Sequence, residues 1–119
     1  MTDSVTLNKS EVPPGGRKIF RVGRVEVAVF NVGGDYFALQ NRCAHQMGPV
    51  CEGGIGGALF SRPEGGRLKF EWAREGQILT CPWHGLEYDI KTGKSLALRE
   101  LRLRSCQVTV GENELTVGL

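Results

Sequence analysis

The residues best suited to chemistry are Cys43, His45, Cys81 and His84, which stand as Cys43-Ala44-His45 and Cys81-Pro82-Trp83-His84. Each stretch offers one thiolate and one imidazole, at C-x-H and C-x-x-H spacing, and glycine follows each at Gly48 and Gly85. The sequence holds 2 histidines in all, and both fall here. Two sulfur and two imidazole donors satisfy a tetrahedral metal ion such as zinc. They equally suit a [2Fe–2S] cluster, with both sulfurs on one iron and both nitrogens on the other. Either centre requires two loops distant in the chain to meet, so the remaining residues must build a scaffold that joins their tips.

The flanking residues narrow the choice. Cys43-Ala44-His45-Gln46-Met47-Gly48-Pro49-Val50 resembles the first cluster-binding loop of the Rieske family, although Met47 stands where the family often has glycine. Cys81-Pro82-Trp83-His84-Gly85-Leu86-Glu87-Tyr88-Asp89 resembles the second, and Thr92-Gly93 follows it as in that family. The resemblance implies that Cys43, His45, Cys81 and His84 ligate one [2Fe–2S] cluster per chain. The glycines and Pro82 then have a physical role, because tight turns aim backbone N–H groups at the negatively charged sulfurs. Residues 11–15 are similar to an acidic, proline- and glycine-containing loop that follows the first strand in Rieske ferredoxins.

The same comparison fixes several finer expectations. High-potential Rieske proteins tie their cluster loops with a disulfide, but the matching positions here are Gly48 and Trp83, so that bridge cannot form. Cys51 and Cys106 are therefore expected as free thiols in a reducing compartment. A hydroxyl that bonds a bridging sulfide in high-potential members is replaced by Leu86, whereas Tyr88 matches the tyrosine that bonds a cysteine ligand. Fewer hydrogen bonds to sulfur predict a midpoint toward the lower part of the Rieske range, roughly −150 to +300 mV. Trp83, Gln46 and Met47 are expected at the loop tips, shielding the cluster or meeting a partner.

Little else in the chain suggests chemistry. With both histidines committed, a two-histidine, one-carboxylate iron site cannot be assembled from this polypeptide. There is no G-x-G-x-x-G fingerprint followed by an acidic residue, so no nicotinamide or flavin site is indicated. The expected role is an electron-transfer component rather than an enzyme in its own right. Resemblance to Rieske-type ferredoxins implies an electron taken from a reductase and passed to an oxygenase. Two alternatives stand beside it: a Rieske-like small subunit of a reductase complex of the nitrite reductase kind, and a zinc-stabilised binding module.

The scaffold must come from 119 residues, enough for a single domain spanning 1–119 with one modest core. Apolar residues make up 40% and charged residues 24%, which places the chain among ordinary globular proteins. A net charge of +2 is too mild to imply a nucleic-acid partner, and the arginines alternate with aliphatics as on solvated strand faces. No apolar run is long enough to cross a bilayer, and the N-terminus lacks a signal-peptide core, so the expectation is cytoplasmic. The count of 17 glycines and 5 prolines favours turns and short strands, and no segment shows a helical period.

Strands are expected over residues 5–7, 17–22, 25–32, 36–40, 78–80, 86–90, 101–104, 106–110 and 115–117, with a phase change at Ser105. Val25, Val27 and Val29 alternate with Glu26 and Ala28 as in a strand buried on one face. The chain between the motifs, residues 46–80, exceeds the family's usual length, and the excess within 52–77 carries an extra hairpin over 58–61 and 67–72. The expected fold is mostly β: a small antiparallel barrel or sandwich with a cluster-binding lobe, about residues 41–92, inserted at one end.

Overall fold

Valine-rich alternation and glycine turns give the architecture its hairpins. In the computed structural model, which describes residues 3–43, 48–82, 85–98 and 100–119, β2 (Arg17–Val22) and β3 (Val25–Val32) pair antiparallel around Gly23-Arg24. A second tight turn at Gly33-Gly34 leads into β4 (Asp35–Gln40). Both glycines there hold positive φ, +62° and +99°, which glycine adopts without the steric cost other residues meet. β1 (Ser4–Asn8), β8 (Ser105–Val110) and β9 (Glu114–Gly118) complete a six-stranded sheet in the order β1-β9-β8-β4-β3-β2. Its outer strands β1 and β2 approach each other, so the sheet is nearly closed into a barrel. The expected mostly-β barrel is present, and no helix among the described residues is long and apolar enough to cross a membrane.

A second sheet of three strands, in the order β5-β6-β7, comprises β5 (Gly54–Glu64), β6 (Arg67–Thr80) and β7 (Glu87–Asp89). The extra hairpin is longer than the alternation of Leu68, Phe70 and Trp72 suggested. Residues 78–80 are the end of β6 rather than a strand of their own, because pairing resumes after a register shift at Gly56/Ala58. Residues 101–104 are not a strand either, and contribute one isolated bridge, Lys94 to Arg102. The phase change at Ser105 marks the true start of β8.

Two apolar clusters divide along β3. Val27 and Val29 join Leu7, Val22, Ala38, Leu115 and Val117 inside the barrel. Ala28 and Phe30, on the opposite face, join Leu39, Leu103, Leu79, Tyr88 and Ile90. β3 is thus buried on both faces from Val27 to Asn31, not on one as its alternation implied. The second sheet covers the face that would otherwise meet solvent, and this second cluster is where the cysteines of the site reside.

Candidate metal centre

The first loop leaves β4 and is held by three polar residues. Asn41, nearly buried, accepts the backbone N–H of Cys51 at 2.7 Å and donates its amide to the Glu26 carboxylate. Arg17 donates to the carbonyls of Cys51, at 2.9 Å, and of Gly53. Cys43 N–H donates to the Gly48 carbonyl at 2.7 Å, closing the loop on itself, and a short 3-10 turn, Val50–Glu52, follows. Arg17 is therefore half-buried and structural rather than one of the solvated strand arginines expected from alternation. Sequence analysis did not single out Asn41 or Arg17. The only signal was a polar residue two positions before Cys43 and a cation at the start of the strand Arg17–Val22.

The second loop leaves β6. Cys81 N–H donates to the Leu86 carbonyl at 2.8 Å, and Gly85 N–H returns to the Cys81 carbonyl at 2.9 Å. Gly85 turns at a φ of +68°, in the left-handed region. The two loops touch at Gly53: a Cβ built there would lie 1.7 Å from the Thr80 carbonyl oxygen, one residue before Cys81. Only glycine permits that approach.

Cys43 and Cys81 are each 1% exposed and belong to the same buried cluster, together with Tyr88. The Tyr88 hydroxyl lies 3.3 Å from Cys43 Sγ. A ligand cysteine is a thiolate and can only accept, so in a metallated site the hydroxyl is the donor. Buried sulfurs with a hydroxyl aimed at one of them suit a metal–thiolate centre better than an apolar core. His45 and His84 lie outside the described residues, as do Gln46, Met47 and Trp83.

Cys51 and Cys106 carry free thiols. Cys51 is fully buried behind the first loop, its Sγ 3.8 Å from the Leu39 carbonyl and 3.7 Å from that of Gln40. Burial pushes its pKa up to about 12, and burial also raises that of Cys106. Leu86 packs half-buried against the cluster that holds Cys43 and Cys81 and offers no hydroxyl.

A family model described as the Rieske [2Fe-2S] domain matches residues 3–107. The chain belongs to the Rieske family. The biphenyl dioxygenase ferredoxin subunit of Pseudomonas sp. (strain KKS102) is 31% identical over 94 residues, covering 79% of this chain and 70% of the relative. The ferredoxin of carbazole 1,9a-dioxygenase from Nocardioides aromaticivorans IC177 superposes with a TM-score of 0.72 at 24% identity, covering 97% of this chain and 96% of that one. A putative NADH-dependent nitrite reductase small subunit from Mycobacterium tuberculosis gives 0.70 at 15% identity, covering 100% and 96%. Both structural likenesses concern the shared Rieske fold. A [2Fe–2S] cluster is the cofactor of the family, which decides against the zinc alternative left open by the donor types alone.

Proposed function

We propose that this chain is a one-electron carrier whose Cys43, His45, Cys81 and His84 hold one Rieske [2Fe–2S] cluster. It would take electrons from a reductase and deliver them to a terminal oxygenase; the relative named the biphenyl dioxygenase ferredoxin subunit supports a place in a dioxygenase system. The observation that carries this reading is the burial of Cys43 and Cys81 in one cluster, at the ends of two loops that meet at Gly53. When bound, the cluster supplies reversible uptake and release of one electron.

The chain's own residues shape that site. Arg17 and Asn41 pin the first loop through its carbonyls and one N–H, so the sulfur of Cys43 is held against β7. Tyr88 presents its hydroxyl to that sulfur. Ala28, Phe30 and Leu39 of the barrel close the site from behind and exclude water.

Anaerobically purified protein should contain iron and acid-labile sulfide in equal amounts and show the absorption and electron-spin signature of mixed imidazole and thiolate ligation. His45→Ala and His84→Ala should each abolish that signature. A folded protein without iron, or variants that keep the wild-type spectrum, defeats the assignment.

A further inference from the structure

The outer half of the β5–β6 hairpin has an unusual surface. Every residue from 61 to 72 is exposed. Leu59 opposes Trp72, Ser61 opposes Phe70 and Pro63 opposes Leu68, and directly opposed residues project from the same face. That face therefore carries Leu59, Leu68, Phe70 and Trp72, each 60–63% exposed. The reverse face carries Arg62, Glu64, Lys69 and Glu71, joined in a ladder of ion pairs between 3.0 and 3.6 Å.

We propose that two copies of this chain associate through this apolar face, each hairpin covering the Leu59, Leu68, Phe70 and Trp72 of the other. A two-stranded ribbon alone in water is marginally stable, and needs a further layer on its apolar side. Four such side chains expose roughly 500 Å² of apolar surface, above what isolated surface residues ordinarily present. Pairing two such faces removes about 1,000 Å² in total, the lower bound for a specific interface between two proteins.

The chemistry of the face selects a second copy over a different protein. The Trp72 indole N–H is already spent on the Glu75 carboxylate, so the ring asks nothing polar of its partner. On the reverse face Arg62, Glu64, Lys69 and Glu71 pair with one another within the hairpin, and Arg67 stands beside them opposite Glu64. An apolar strip of this kind is complementary to itself, as a two-fold interface demands. Two ribbons can stack face to face at the usual sheet separation of about 10 Å, with the ion-pair ladders turned outward.

The proposal does not depend on the cluster. Sedimentation velocity of the full chain, from micromolar to submillimolar concentration, should give twice the chain mass. The double variant Phe70→Ser/Trp72→Ser should shift to the single chain mass, with an association constant at least tenfold weaker, while Lys69→Gln on the reverse face stays dimeric. A wild-type chain that remains monomeric at submillimolar concentration overturns the proposal without reference to any variant, as does a double variant that dimerises like wild type. Absorbance recorded in the same runs reports the cluster separately, so a monomer with iron sinks this inference alone.

Discussion

The hydroxyl of Tyr88 lies 3.3 Å from the sulfur of Cys43, inside a cluster from which solvent is excluded. A hydroxyl donated to a ligand thiolate favours the reduced cluster, whose sulfurs carry more negative charge. Such a bond is worth about 0.5–1.5 kcal/mol. For a single electron, where a tenfold change in equilibrium corresponds to about 59 mV, Tyr88→Phe should lower the midpoint potential by about 20–65 mV. Redox titration followed by electron-spin resonance measures it. A midpoint that is unchanged or raised would mean that the hydroxyl does not donate to this sulfur. The wild-type value itself is expected below roughly +200 mV, since Leu86 supplies no hydroxyl to the cluster.

Gly53 sets the distance between the loops. A methyl group there meets the Thr80 carbonyl, a backbone atom that cannot rotate away. Gly53→Ala should cost at least the roughly 1–3 kcal/mol typical of overpacking, and should reduce cluster content. Gly54→Ala is the control, because nothing lies within 4 Å of a Cβ built there. Denaturant midpoints and iron content of the two variants should separate clearly; equal values would show that the close approach is not needed.

Asn41 joins three segments through one side chain. Asn41→Leu keeps the size but strands the buried N–H of Cys51, and removes the tie to Glu26. An unsatisfied buried donor costs about 1–3 kcal/mol. The variant should unfold at correspondingly lower denaturant and lose iron faster when challenged with a chelator. Stability within a few tenths of a kcal/mol of wild type would place water or a rearranged loop at the Cys51 N–H.

The two cysteine–histidine motifs were legible because metal ligation constrains residue type and spacing together. The barrel strands were legible because one face of each needs apolar residues at every second position. β3 escaped that logic: with both faces covered, Ala28 and Phe30 are as buried as Val27 and Val29, and alternation no longer marks the inner face. The extent of β6 was hidden by Arg74, at a φ of +56°, and Gly76, which interrupt the pattern between Ala73 and Ile78 without ending the strand. Arg17 and Asn41 were illegible for another reason. Their partners are mostly backbone carbonyls and an N–H at least ten positions away, which leave no trace in side-chain sequence, and the Glu26 carboxylate that Asn41 also meets is 15 positions distant. His45 and His84, clearest of all in the sequence, lie outside the described residues.

Cys51 gives the protein an alkaline dependence with a definite sign. Its thiol is buried, and burial disfavours the thiolate, raising the pKa to about 12 in the folded chain. In the unfolded chain the value returns to about 8.5. Below that value both states hold the proton, and the contribution to stability is fully present. As pH rises from there toward 12, the unfolded chain loses its proton while the folded chain keeps it, so unfolding becomes progressively easier. Within this window the slope approaches about 1.4 kcal/mol per pH unit from this one group. Cys51→Ala forfeits some packing at every pH but should flatten the slope. Urea midpoints of wild type and variant, measured between neutral and strongly alkaline pH, should therefore converge as pH rises. Parallel curves would show that Cys51 ionises in the folded protein as it does in water.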